Sequence, residues 1–312
     1  NNSTLMGTLT FMFNLNIKTL HTKEEKLKAF ARLLDIQERL RKECPWDRKQ
    51  TNESLRPNTI EETFELADAL LKNDSKNICK ELGDVMEHVI FYSLLGEEKG
   101  EFDVADVCNA QSDKLMFRHD FINWVGWSVT RTDMTINAAG QVVYKDEEQQ
   151  THNNLDSSTP NTASQVESTW EQRKQRERDG NTSVLSGVPD SLPSLIKAYR
   201  IQDKARNVGF DWQEKEQVWD KVYEELGELK DELKKEDKEH STEELGDFLF
   251  SVINAARLYH LNPDNALEYT NQKFIKRFNY IEEAAKAKGV TIKDLTLAEM
   301  DELWSQAKAA NS

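Results

Sequence analysis

The sequence predicts an all-α fold of two tandem helical-bundle repeats separated by a small β insert. Three observations carry this reading. One pattern of four acids occurs twice, as Glu62, Glu65, Glu81 and Asp84 and again as Glu225, Glu228, Glu244 and Asp247, with each member of the second set 163 positions after its partner. Apolar residues around both sets recur at helical spacing, and self-similarity at a fixed offset is the mark of a repeated supersecondary unit. Between 120 and 163 the composition changes abruptly, first to β-branched and aromatic residues and then to a polar Asn, Ser and Thr tract.

Each acid set reads E-x-x-E, fifteen intervening residues, then E-L-G-D. Residues three apart on a helix lie on one face, so each helix presents a carboxylate pair, and two such helices packed antiparallel bring four carboxylates together. In the second set the acids border two apolar stripes, Val222, Leu226, Leu229 and Leu233 on one helix and Leu245, Phe248, Leu249 and Val252 on the next. Four carboxylates at the rim of an apolar seam repel one another unless cations sit among them, and oxygen-only ligation suits Mg²⁺ or Mn²⁺. The alternative is that the acids are helix caps. Thr59-x-x-Glu62 and Ser241-x-x-Glu244 match a capping box, but the equivalent positions in the other repeat are Val222 and Ile78, which cannot cap, although the acids recur.

Residues 1–20 form an uninformative extension, with an apolar patch over 5–13 but no basic leader segment. An amphipathic helix is expected over 22–40, broken by Cys44-Pro45-Trp46-Asp47. The acidic hairpin is next, over 58–71 and 77–95, and then a helix from 104 carries Lys114 and Arg118 four apart. The first repeat spans 21–119. The insert over 120–164 is expected to hold strands at 122–131, 132–136 and 141–144, with a turn at 137–140 and a polar tether at 151–163. A charged helix over 165–179 and a Gly- and Pro-punctuated loop make up a linker over 165–193. The second repeat, 194–312, is expected to form helices over 195–207, 214–235, 242–259, 263–288 and 297–309, with a solvated turn over 234–243.

Net charge is −15, which argues against a nucleic acid duplex or an anionic membrane as the main partner. A small phosphorylated ligand is compatible with that charge when metal ions bridge phosphate to carboxylate. Three cysteines without C-x-x-C spacing point to a reduced, cytoplasmic compartment. No apolar run approaches the roughly 18 residues that span a bilayer. A ferritin-like di-iron bundle also gathers carboxylates, but it needs E-x-x-H, and none of the six histidines comes three residues after a glutamate.

Cys-Pro-Trp-Asp at 44–47, Glu61-Glu62-Thr63-Phe64-Glu65, Glu81-Leu82-Gly83-Asp84, and the segments 114–119, 200–212, 224–247 and 271–278 resemble the MazG nucleoside triphosphate pyrophosphohydrolases. The resemblance implies tandem helical repeats and hydrolysis of NTPs or dNTPs to the monophosphate and pyrophosphate by a homodimer. It implies Glu225, Glu228, Glu244 and Asp247 as metal ligands and catalytic acids, with a second site at Glu62, Glu65, Glu81 and Asp84. Glu224 and Glu61 become outer-shell partners. Lys273, Arg277, Trp304 and Lys308 become substrate contacts, the ring beside a base and the cations near phosphate. In the first repeat Lys114 and Arg118 match Lys273 and Arg277, but after His119 the chain departs from the expected short continuation. The main catalytic site is therefore expected in the second repeat. The rival from another class is a non-hydrolytic nucleotide-sensing or protein-binding module, for which the long insert and acidic surface would serve docking.

Overall fold

The computed structural model describes residues 20–147 and 183–310, together with Thr162, Gln165, Val166, Trp170, Arg173, Lys174 and 176–178. Apart from Leu20 and Thr162, the extension over 1–20 and the tether over 151–163 lie outside the described residues. The chain divides into two compact units, one ending at Ser112 and the other beginning at Asp113.

In the first unit α1 (Lys23–Glu43) opens with a capping box in which Thr22 accepts from the Glu25 amide and the Glu25 carboxylate accepts from the Thr22 amide. Helix α2 (Asn52–Leu71) begins six residues before the expected boundary, because Thr51 and Ser54 cap each other reciprocally. Helix α3 (Ser75–Glu98) begins where the Asp74 carboxylate accepts from the amides of Lys76 and Asn77. Asn73, at φ 52°, takes the left-handed turn between them. Leu55, Phe91 and Leu95 form the buried core of this hairpin, and α4 (Val104–Arg118) comes next. Thr59 is not a cap. It lies inside α2, donates to the Leu55 carbonyl and meets the Tyr92 hydroxyl at 2.6 Å.

The second unit begins with the end of α4 and the insert. Strands β1 (Met134–Ile136) and β2 (Val142–Tyr144) pair antiparallel, with Met134 opposite Tyr144 and Ile136 opposite Val142, and pack with Met116 and Phe117 of α4. The strand expected over 122–131 does not form. The buried Asp113 carboxylate takes the backbone amides of Thr130 and Arg131 and the Thr130 hydroxyl, and the Trp124 amide goes to the Gly140 carbonyl. Gly126, at φ 88°, bends the chain between these anchors. A side-chain acceptor thus takes the donors that a sheet ladder would have used.

Of the charged helix expected over 165–179, the described residues Gln165, Val166, Trp170, Arg173 and Lys174 are helical. Helix α5 (Ser194–Asn207) ends where Gly209, at φ 89°, reverses the chain and the Phe210 amide donates back to the Ala205 carbonyl. After a 3₁₀ turn at Lys215–Gln217 come α6 (Val218–Lys235), α7 (Lys238–Leu258), α8 (Pro263–Ala287) and α9 (Leu297–Ala310). The solvated turn shrinks to Glu236 and Asp237, since the Asp237 carboxylate starts α7 by accepting from the amides of Glu239 and His240. Val218, Val222 and Ala255 hold α6 to α7. Each such buried valine contributes roughly 1.5–3 kcal/mol. Leu245, Leu249 and Val252, expected to line the seam, are instead exposed.

Candidate functional site

Helices α6 and α7 form one antiparallel hairpin and α2 and α3 another, and each carries its E-x-x-E on the first helix and its E-L-G-D on the second. In the second repeat, ligand oxygens of Glu225, Glu228 and Glu244 all lie within 4.8 Å of one another. In the first, Glu62, Glu81 and Asp84 do so. Glu65 and Asp247 stand outside these triplets. Each still faces its cluster electrostatically, Glu65 raising Glu62 and Asp247 raising Glu244. Glu61 and Glu224 lie exposed on the outer side of each motif.

Solvated faces do not bury their acids, yet Glu81 and Glu225 are each only 6% exposed. Glu81 Oε2 is buried and accepts from no donor among the described residues. Desolvation first, and then the Asp84, Glu65 and Glu81 carboxylates, push the Glu62 carboxyl above its ordinary range; desolvation and then Glu228, Asp247 and Glu225 do the same to Glu244. One lysine answers each cluster. Lys80 reaches Glu81 at 2.9 Å and Asp84 at 3.5 Å, and Lys221 reaches Glu225 at 2.6 Å and Glu224 at 3.0 Å. Both ammonium groups are held above the usual lysine range by these hydrogen bonds. The lysines come from non-equivalent positions, since Lys80 corresponds to Glu243 and Lys221 to Asn58. Each hairpin has therefore placed a cation at its acids by a different route. An orphaned buried carboxylate oxygen, mutual repulsion and an oxygen-only donor set fit a hard divalent cation.

Lys273 and Arg277 share a face of α8, where the Arg277 guanidinium lies 5.4 Å from the Trp304 ring and Phe274 packs on the same ring at 5.1 Å. Arg277 Nε is buried with no hydrogen-bond partner among the described residues. Lys308 is exposed one turn beyond Trp304. The first repeat has a counterpart that the sequence reading missed. Trp170-x-x-x-Lys174 repeats the spacing of Trp304-x-x-x-Lys308 after the insert, and Arg118 lies 5.2 Å from the Trp170 ring as Arg277 does from Trp304. In the first repeat, however, Glu177 takes the guanidinium in a two-pronged ion pair, with Nη2 at 2.8 Å from Oε2. Position 311, the counterpart of 177, is asparagine.

A second missed feature adjoins the Glu225 cluster. A cavity of about 700 Å³ is bounded by Lys221, Glu225 and Asp247, and elsewhere by Ile201, Gln202, Phe210, Trp212, Phe250 and Asn254. Its flap, Phe210-Asp211-Trp212, is pinned by Arg257, a buried guanidinium that donates to Asp211 at 3.1 Å. Partial burial would raise the Asp211 carboxyl, but hydrogen bonds from Arg257 and the Trp212 amide outweigh it and hold the pKa low. The segment enters the sequence reading only within the resemblance over 200–212, whereas the enclosure is a product of packing.

Comparison with known proteins agrees with this geometry. The profile of the MazG nucleotide pyrophosphohydrolase domain matches residues 50–122 and again 213–281, one match per acidic hairpin. The chain is 37% identical to the nucleoside triphosphate pyrophosphohydrolase of Escherichia coli (strain K12), over 90% of this chain and 98% of that one. It is 34% identical to the nucleoside triphosphate pyrophosphohydrolase/pyrophosphatase MazG of Thermotoga maritima, over 90% of this chain and 96% of the other. The Bacillus subtilis protein YabN is 38% identical over 92% of this chain and 53% of its own length. With both hairpins matched and near full-length similarity to such relatives, the chain belongs to the MazG family of nucleotide pyrophosphohydrolases.

Proposed function

We propose that this protein hydrolyses nucleoside triphosphates, ribo or deoxy, to the monophosphate and pyrophosphate with Mg²⁺, and that the second repeat does the chemistry. The carrying observation is that its carboxylate cluster opens onto a cavity large enough for a nucleotide. Glu225, Glu228, Glu244 and Asp247 are the residues to hold the ion, with Mn²⁺ as a substitute. A divalent ion held there would offset the charge of the triphosphate and lower the pKa of the attacking water.

The chain's own groups supply position and charge. Lys221, which lines the cavity beside Glu225, is placed to donate to phosphate oxygens. Lys273, Arg277 and Lys308 donate to the remaining phosphate oxygens, with Arg277 oriented by the Trp304 ring. Glu224 takes Lys221 as its outer partner, and one of the four acids orients the attacking water.

A second reading applies to the first repeat. With Arg118 already taken by Glu177, the counterpart of Arg277 is engaged within the protein, which supports a role for this repeat in assembly or metal-dependent regulation without turnover. Homodimerisation is supported by the exposed Leu245, Leu249 and Val252 on the acid-bearing helix. A cytoplasmic setting is supported by three unpaired cysteines.

Product analysis tests the proposal. Incubation of each NTP and dNTP with Mg²⁺ should yield equimolar monophosphate and pyrophosphate, and chelation should stop it. Release of diphosphate and inorganic phosphate, or turnover that survives chelation, would overturn it.

A further inference from the structure

A second cavity, of about 520 Å³, lies against another face of α5, between it, the end of α7 and the helical segment that carries Trp170. Arg200, Asp203 and Arg206, three residues apart and therefore on one stripe, line it from α5, and Arg257 and His260 close it at the end of α7. Duplication supplies the comparison. Ile36-Gln37 of α1 aligns with Ile201-Gln202 of α5, both glutamines being buried, and α3 aligns with α7 at the offset of 163. The counterpart in the first repeat is a space of about 50 Å³, lined in part by Leu34, Glu38, Leu94 and Glu97 at the positions of Tyr199, Asp203, Arg257 and His260. Asp35 stands where the second repeat has Arg200, and Arg41, which matches Arg206, is held by Glu98 at 2.6 Å. One copy is thus small and acidic, and the other is roomy and basic.

We infer that this basic cavity is a second anion site, separate from the acid cluster, which binds a phosphoryl group without a metal ion. Arg200 and Arg206 donate to the phosphate oxygens, and Arg257 and His260 add positive field. At the Glu225 cluster an anion needs a cation between it and the carboxylates, whereas here the protein's own guanidinium groups meet it directly.

The charges support an anion. Asp203 is the one acid lining the cavity among the described residues, and it is divided between two arginines. Its Oδ2 accepts from Arg200 Nη1 at 3.1 Å, and its Oδ1 meets Arg206 Nη2 at 3.1 Å. Arg257 is paired with Asp211, so three guanidinium groups meet two carboxylates and one positive charge is left over, in a protein whose net charge is −15. The bond to Asp203 is the one side-chain hydrogen bond of Arg200 among the described residues, and most of its N–H groups therefore remain for a ligand. Arg257 differs, being buried with its donors on Asn254 and Asp211, and it acts through its field. The opposite wall is already fixed, since the Trp170 ring lies 5.2 Å from the Arg118 guanidinium and meets the His119 ring edge-on at 5.0 Å, so little freedom is lost there on binding. Two adjacent guanidinium groups suit the several oxygens of a phosphoryl group. Free pyrophosphate and the phosphate end of a nucleotide share that chemistry.

Isothermal titration of the full chain with inorganic pyrophosphate in EDTA tests the inference, because chelation leaves the acid clusters with nothing but repulsion for an anion. Saturable binding is expected. Arg200→Asp, which installs the first repeat's residue at an exposed position, should weaken it about tenfold or more, the scale of a lost hydrogen bond to a charged group. Lys273→Ala, on the α8 face assigned to the substrate, should leave it unchanged. Arg200→Gln repeats the test should Arg200→Asp fail to fold. Replacing pyrophosphate by ADP separates the sources, since a nucleotide-borne group makes ADP the tighter ligand and a free anion makes pyrophosphate so. Absence of saturable binding, sulfate binding as tightly as pyrophosphate, binding that Lys273→Ala removes, or binding that both Arg200 variants leave intact would overturn the inference. None of these results bears on pyrophosphate release in Mg²⁺, so the hydrolytic reading stands or falls separately.

Discussion

Glu225 and Glu244 are held in a repulsive cluster that the fold keeps together at a cost, and substitution should expose that cost. Replacing Glu228 or Glu244 by alanine should lower pyrophosphate release by about a hundredfold or more, the scale of losing one charge-stabilising group at a reacting centre. The melting temperature of the metal-free protein should hold or rise, because one member of a like-charge set has gone. A fall in activity that tracks a fall in melting temperature would mean these acids serve the fold. Asp113 should behave in the opposite way. It is 1% exposed and accepts from the Thr130 amide and hydroxyl and the Arg131 amide. Asp113→Ala should therefore destabilise the insert by about 3 kcal/mol, as expected for buried bonds to a charged acceptor. Urea denaturation monitored by near-ultraviolet tryptophan signals would measure it, with Trp124 and Trp127 as local reporters.

The two acidic hairpins make a prediction about pH. Glu62 and Glu244 have carboxyl pKa values raised in the folded protein, first by desolvation and then by neighbouring carboxylates. A raised acid binds more protons folded than unfolded, so its cost is absent below the unfolded-chain pKa and fully present once pH exceeds the folded one. The metal-free protein should consequently gain stability as pH falls from neutral through the upper carboxylate range. It should lose stability only lower still, where Asp211 and Glu98, held low by arginines, begin to protonate. Saturating Mg²⁺ should flatten the upper limb, since a bound cation relieves the same repulsion. Melting temperatures across pH 4–8 with and without metal test this, and an upper limb of opposite slope would contradict it.

Much of this element-level picture is legible in the sequence. The acid spacing locates four helices, and the doubled pattern by itself argues against capping. The features that are not legible depend on local side-chain competition or on packing. Thr51 and Asp237 start their helices earlier than periodicity suggests, and Asp113 diverts the backbone donors of 122–131 from a strand. The repeat of Trp170-x-x-x-Lys174 against Trp304-x-x-x-Lys308 is detectable from spacing, but the insert hides it by displacing it along the chain. The cavity beside Glu225 is not, because enclosure depends on packing, with Asn254 lining it where the aligned position of the first repeat carries the buried Phe91.

At the scale of the whole molecule, duplication has left two hairpins with one acid pattern and different surroundings. The second has an open cavity and an arginine without an ion-pair partner among the described residues. The first has a closed pocket and an arginine held by Glu177. Such divergence arises when one copy keeps the chemistry and the other is free to serve packing, assembly or regulation. Breaking the Glu177 contact, by Glu177→Gln, should leave overall turnover close to that of wild type, because this largely buried pair belongs to the repeat assigned no turnover. A several-fold rise in steady-state activity would instead show a first repeat that is catalytic but restrained.

Pyrophosphate release from a panel of NTPs and dNTPs with Mg²⁺, compared among wild type, Glu65→Ala and Glu228→Ala, bears most directly on the division of labour between the repeats. Loss in Glu228→Ala with near-normal turnover in Glu65→Ala is the expected result. Equal loss in both, or undiminished release from Glu228→Ala, would contradict the assignment of catalysis to the second repeat.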